Sequence, residues 1–251
     1  MEYTRLAGQS SESLDAREKL RLAEIDLMQQ REQVAAMRRA LPPGPVVDDY
    51  EFLEGPRSLS DGDTPVTTVR LRDLFTAPNR PLIVYHLMYG KAQTEPCPMC
   101  TQWIDGFNGI AHHLAQNADL VIVAAADLPA LRGYGRQRGW NRLRLLSAGG
   151  STFKFDLGSE DADGGQDSTV SVFVRDADGN VRHTYSATPR MAGDIDQRGI
   201  DLLCATWHLL DLTPQGRGEW YSSLSYGTEV ADAHNAATTS GPRPPGRLHS
   251  S

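Results

Sequence analysis

The apolar positions of the chain change period several times, and each change marks an element. From residue 12 to 41 they recur every seven residues, at Leu20, Leu27, Val34 and Leu41, with Ala23, Gln30 and Met37 between them. This heptad seam of about three repeats predicts one long helix. Glu18, Arg21, Glu24, Arg31, Glu32 and Arg38 take its other faces, and Pro42-Pro43 stops it. A proline ring removes a backbone donor and crowds the preceding turn. Seam residues as small or polar as Ala23 and Gln30 favour a helix lying on its own domain over an intermolecular zipper. Pro42 to Asp63 reads as loop.

Leu82 to Met88 (LIVYHLM) has the look of a buried strand, entered at Pro81 and left at Gly90. Thr101 to Gln116 suits a helix with Trp103, Phe107, Ile110 and Leu114 on one face, and Asp119 to Ala125 suits a second buried strand. Leu128 to Arg138 fits another helix, although it holds two glycines, each costing about 1 kcal/mol. Thr169 to Arg175 and Asn180 to Ser186 alternate about Asp178-Gly179, a hairpin signature. Residues 194–210 form a closing helix carrying Ile195, Leu202, Leu203, Ala205, Leu209 and Leu210. From Val230 the composition turns to Ala, Thr, Ser, Pro and Gly, which predicts disorder. The order strand, helix, strand, helix, hairpin, helix predicts an α/β domain. Its first two strands should be parallel through a right-handed crossover, with the hairpin as an antiparallel edge. The divisions are an arm over 1–43, a domain over 44–221 with its α/β part at about 65–215, and a tail over 222–251.

Charge and cysteine usage narrow the chemistry. The 251 residues hold 25 Lys+Arg against 32 Asp+Glu, a net charge of −7, so neither nucleic acid nor an anionic membrane is an expected partner. No apolar run approaches the roughly 18 residues of a membrane span, and no secretory segment follows Met1. The three cysteines are too few for a disulfide scaffold, and the expected location is a reducing cytoplasm.

Two of those cysteines form Cys97-Pro98-Met99-Cys100 at the start of a helix, directly after a strand and loop. At a helix entry the first sulfur meets unpaired N–H groups and the positive end of the dipole, which favour thiolate, the reactive form. The spacing lets the second sulfur close a small disulfide ring after the first has attacked a substrate. Pro98 suits the first helical turn, where its missing donor would have no partner. A structural zinc site would need a second Cys/His pair at fixed spacing, and the remaining cysteine is Cys204 alone.

The strand ending His86-Leu87-Met88-Tyr89-Gly90, the Cys97–Cys100 motif and the run Trp103-Ile104-Asp105-Gly106-Phe107-Asn108-Gly109 resemble one known family. So do Gly139-Trp140, Phe153-Lys154-Phe155-Asp156, Val170-Ser171-Val172-Phe173, His183-Thr184-Tyr185-Ser186 and Leu210-Asp211-Leu212-Thr213-Pro214. It is the thioredoxin-like family of unknown function catalogued as DUF899, related in fold to the peroxiredoxins, and the similarity runs from residue 14 to 221. The resemblance implies a thioredoxin-like fold, a mixed sheet flanked by helices with an N-terminal helical arm, and a redox role. Two departures from true thioredoxins weigh against general protein-disulfide reduction. Pro96 precedes the pair, with Pro-Met inside it, and Ser168-Thr169-Val170 stands where thioredoxins carry a cis-proline, Thr169 taking that position. The peroxiredoxin pattern of Pro, Thr and Cys entering the helix is not found either.

The expected function is thiol–disulfide oxidoreduction through Cys97 and Cys100. It needs no cofactor, and its partner is a redox protein or a small-molecule thiol or disulfide. The rival is a copper or zinc site, or a metal-dependent enzyme, using the same thiols with His86 or His183, helped by Met88 or Met99. Taken singly, each histidine fits a hydrogen-bonded core or surface residue better. His112 and His113 stand roughly 20 Å along the helix from Cys97. Cys204 reads as a buried small hydrophobe, Asp156 as a turn or capping residue, and Trp103 and Trp140 as core aromatics. The acidic loop Glu160, Asp161, Asp163, Asp167 reads as solvated. The exposed seam of the arm makes a homodimer, or an arm exchanged between subunits, a further expectation.

Overall fold

A strand that is apolar on both faces needs cover on both sides. The computed structural model describes residues 8–192 and 199–224. In chain order its elements are α1 (Ser11–Arg39), β1 (Glu51–Glu54), β2 (Thr67–Arg70), β3 (Leu82–His86), α2 (Pro98–Leu114), β4 (Asp119–Ala124) and α3 (Leu128–Arg138). There follow β5 (Arg144–Ser147), α4 (Phe153–Asp156), β6 (Thr169–Arg175), β7 (Val181–Ala187) and α5 (Ala205–Leu210), with short 3-10 turns at Leu59–Asp61, Leu71–Leu74 and Asp201–Leu203.

The strands form one mixed sheet in the order β2-β1-β5-β4-β3-β6-β7. β3, β4 and β5 are parallel, β6 runs antiparallel to β3, and β7 antiparallel to β6. The unit β3-α2-β4, with the β6–β7 hairpin on the other side of β3, is the thioredoxin-like arrangement. Here it is widened by β5 and the antiparallel pair β1–β2. The hairpin turns at Gly179, whose φ of +84° suits a residue without a side chain. The Asp176 carboxylate accepts the Asp178 and Asn180 amides there at 3.0 and 2.9 Å.

Alternation along β3 and β4 divides the core. Tyr85, Ile122 and Ala124 pack with Met99, Cys100, Trp103, Ile104, Leu131, Trp140 and Trp207 on one face. Leu82, Val84, Val121 and Val123 pack with Phe52, Leu71, Leu74, Leu146, Phe153 and Phe173 on the other. Fully burying one such aliphatic or aromatic side chain contributes about 1.5–3 kcal/mol.

Several sequence expectations are corrected. Pro42 to Asp63 is not all loop, since it holds β1 and a 3-10 turn, and β2, β5 and α4 also had no sequence signal. Helix α2 starts at Pro98, and its inner face takes Ile104 while Ile110 is half exposed. The closing helix is broken, because Cys204 is extended (φ −129°, ψ 111°) between the turn at Asp201–Leu203 and α5. Ile195 and the tail from Val230 lie outside the described residues. Helix α1 does not lie down on the domain: none of its residues is buried, and Leu20, Leu27 and Met37 are 57%, 51% and 68% exposed. It meets the sheet near its end, where the Arg38 guanidinium stands 5.2 Å from the Tyr185 ring.

Candidate active site

Strand β3 delivers the chain to the site. Leu87 extends its ladder by one hydrogen bond, donating to the Val123 carbonyl at 2.8 Å, and the chain then leaves the sheet. It returns at Cys97, whose amide donates to the Met88 carbonyl at 3.0 Å. Cys97 is the N-cap of α2, extended at φ −60°, ψ 128°, and Pro98 opens the helix with no donor to satisfy. The Cys97 carbonyl accepts both the Thr101 amide and the Thr101 hydroxyl, each at 3.0 Å. That hydroxyl also lies 3.1 Å from the Tyr134 hydroxyl.

The two thiols sit in different surroundings. Cys97 is partly exposed and Cys100 is fully buried, and neither is in a disulfide. The neighbouring Cys100 thiol is the largest influence drawing Cys97 down to about 6. Burial opposes it, and the Cys100 and Met99 amides and the Tyr221 hydroxyl assist. Tyr221 Oη stands 3.9 Å from Cys97 Sγ. Cys100 is pushed well up, first by burial and then by its negative neighbour Cys97, against the pull of the Tyr85 hydroxyl and the Met88 amide. Among the described residues the Tyr85 hydroxyl, buried over Cys100, has no well-aligned hydrogen bond, so a donor stands ready for a thiolate there.

The segment after α5 closes over the helix entry. Ser222 is buried, its hydroxyl donating to Gln102 Oε1 at 2.7 Å and lying 3.8 Å from Met99 Sδ. Arg138 donates to the Leu224 carbonyl at 2.7 Å. Cys204 is buried and receives Gln102 Nε2 at 3.3 Å. Trp103 and Trp140 are both core residues, the Trp140 indole donating to Asp105 at 2.8 Å. The stretch before β6 approaches through Ser168, beside Tyr85, whereas Thr169 pairs with His86 and so shares the opposite face.

The expected metal set is not brought together. Tyr85 faces the cysteines, so His86, the next residue of β3, faces away, stacked on Phe153 at 5.1 Å and 4°. Its ring nitrogens lie 2.7 Å from the Ser159 hydroxyl and 3.1 Å from the Ser171 hydroxyl, and burial pushes its pKa well down. Ser171 continues to Ser186 at 2.8 Å and Ser186 to His183 at 2.7 Å, so both histidines belong to one hydroxyl network on the far face. Among the described residues no three His, Cys, Asp or Glu side chains gather to hold a metal ion.

One functional candidate was not singled out from the sequence. Lys154 of α4 is fully buried, and its Nζ donates to the Leu87 carbonyl at 3.0 Å. Asp156, in the same turn, is exposed and accepts the Thr152 hydroxyl at 2.5 Å, a local turn contact.

The profile of a bacterial family of unknown function, DUF899, matches residues 4–235. The chain belongs to that family. No curated protein matches this DUF899 chain. Among solved structures it is similar to a cysteine-to-serine mutant of PrxQ from Xylella fastidiosa, at 15% identity and TM-score 0.44, over 65% of this chain and 93% of that one. AhpC from Mycobacterium bovis gives 17% and 0.42 over 72% and 97%. A structure described as a peroxiredoxin gives 12% and 0.45 over 63% and 88%. For this DUF899 protein the fold therefore stands on its own strand order. No helix among the described residues is long and apolar enough to cross a membrane.

Proposed function

We propose that the protein is a thiol–disulfide oxidoreductase in which Cys97 attacks and Cys100 resolves. One observation carries this reading: at the entry of α2 the partly exposed Cys97 is held low, to about 6, while Cys100, one turn inside, is buried and held high. Cys97 is then largely thiolate at neutral pH and reaches a substrate disulfide first. A thiolate at Cys97 forms a mixed disulfide and releases one substrate thiol. Cys100 then forms the 97–100 bond and releases the other, so the substrate gains the two electrons the dithiol loses. No cofactor takes part, and a protein or small-molecule dithiol returns the pair to its reduced state.

Alkylation with iodoacetamide at pH 7 tests the assignment. Cys97 is expected to react faster than Cys100, and Cys100→Ser is expected to trap a mixed disulfide that Cys97→Ser does not. Mass spectrometry of oxidised protein should show a 97–100 link with Cys204 free. An ordinary thiol pKa at Cys97, or a pair unchanged through a redox cycle, would sink the reading.

A further inference from the structure

Lys154 is a buried cation that the dithiol chemistry has not yet used. It is 0% exposed, and among the described residues its Nζ makes one hydrogen bond, to the Leu87 carbonyl at 3.0 Å, and no ion pair with a carboxylate within 4 Å. Fully buried charged groups are rare unless paired, because desolvation is costly. What lies across the Leu87 carbonyl supplies the missing counterpart. The Leu87 C=O and the Met88 N–H belong to one trans peptide and point in opposite directions. The Met88 amide is one of the groups that favour a thiolate at Cys100, and the Met88 C=O receives the Cys97 amide at 3.0 Å. Lys154 and Cys100 therefore approach the same peptide unit from its two ends. A cation on the oxygen draws electron density through the amide and strengthens its N–H as a donor.

We propose that Lys154 is the positioning residue for the resolving step: its ammonium, acting through the Leu87–Met88 peptide, stabilises the Cys100 thiolate that displaces the substrate. This deepens the dithiol reading and rests on it. In the step, the Cys100 sulfur attacks the Cys97 sulfur of the mixed disulfide, and the 97–100 bond forms as the bond from Cys97 to the substrate breaks. The departing substrate sulfur takes the electron pair and the proton that Cys100 gives up. No external oxidant or reductant enters.

The surrounding charges agree with this assignment. Burial is the main influence on Lys154, drawing it down to about 8, and negative charge at Cys100, then at Glu160 and Asp167, works in the opposite sense. His86, held neutral by burial, is the other titratable group that feels Lys154. From the other elements, Cys100 faces Cys97 and Tyr85. Charge at Cys100 is thus felt at Lys154, while Cys97 remains the strongest charged neighbour of Cys100 itself.

Ellman's reagent separates the two steps in a Cys204→Ser background. The first thionitrobenzoate released reports attack by Cys97, and the second reports resolution by Cys100. Lys154→Met is expected to slow the second phase at pH 7 by about tenfold and to move its pH midpoint upward, leaving the first phase unchanged. Lys154→Gln keeps a donor near Leu87 and loses the charge, so it should behave like Met. It also serves should the Met variant not fold. Lys154→Arg should return the midpoint towards that of the parent. A second phase with an unmoved midpoint in a folded Met or Gln variant would overturn the role of Lys154 and leave the dithiol reading intact. Absence of a second phase in the parent protein itself would defeat both.

Discussion

Cys97 illustrates how one residue's surroundings become a property of the whole protein. Its folded pKa of about 6 lies below that of a free thiol, so between that value and the unfolded one the native state binds fewer protons than the unfolded chain. Stability of the reduced protein should accordingly rise as pH rises from about 6 towards the free-thiol range, and be lost as pH falls through about 6. Thermal melting of reduced protein over that range should show the slope, and Cys97→Ser should reduce it. A flat profile in both would mean that the thiolate is not favoured. The Tyr221 hydroxyl, 3.9 Å from the sulfur, adds a weak donor. Tyr221→Phe should raise the Cys97 pKa slightly and slow its alkylation at pH 6 by about twofold. These features differ in how far the sequence reveals them. The Cys97–Pro98 helix entry is local, written within a few residues. Lys154 is not, because nothing within Phe-Lys-Phe-Asp says which of its side chains turns inward, and the fold buries Phe153 and Lys154 while it exposes Phe155. Only the position of α4 against the end of β3 turns that lysine inward.

The elements divide in the same way. β3 and β4 are readable because both of their faces are covered, which leaves apolar residues at nearly every position. β1 buries Phe52 alone, and β5 is four residues long and opens on an arginine, so neither carries a usable period. The closing helix fails for a different reason. Its apolar residues match a helical face, but the extended backbone at Cys204 turns the chain between two short pieces. One contact fastens an element that the sequence left as loop. Arg132 of α3 is 2% exposed and donates to the carbonyls of Pro56, Ser58 and Gly62 and to Asp63, at 2.9, 3.0, 2.6 and 3.1 Å. Arg132→Ala removes those donors at once and opens a cavity beside Gly55, with an expected loss of about 3 kcal/mol. Urea unfolding would measure it, and a loss under about 1 kcal/mol would mean that water replaces the guanidinium at little cost.

At the scale of the molecule, the domain and the arm obey different rules. The domain hides its apolar residues on the two faces of its sheet, while α1 carries 29 residues with none buried. An isolated helix of this length gains little from propensity alone and usually owes its stability to packing along an apolar face. The capping by Ser10, whose hydroxyl accepts the Ser13 amide at 3.1 Å, contributes about 1 kcal/mol, and the solvent-exposed Glu18–Arg21 pair adds little. Leu20, Leu27 and Leu41 remain about half exposed at heptad spacing, in a seam that the parent domain leaves open. The occupant that fits such a seam is the same seam on a second copy, since a parallel two-fold pairing sets each leucine against its equivalent. Sedimentation of the full chain is therefore expected to give a dimer, and a chain starting after Pro43 a monomer that keeps its far-ultraviolet spectrum less the helical contribution of the arm. Changing Leu20 and Leu27 together to Glu should dissociate the full chain without altering Cys97 alkylation, because the arm meets the domain at Arg38 and Tyr185, not at the cysteines. If the full chain and the shortened chain both sediment as monomers of equal stability, the arm is not an assembly device.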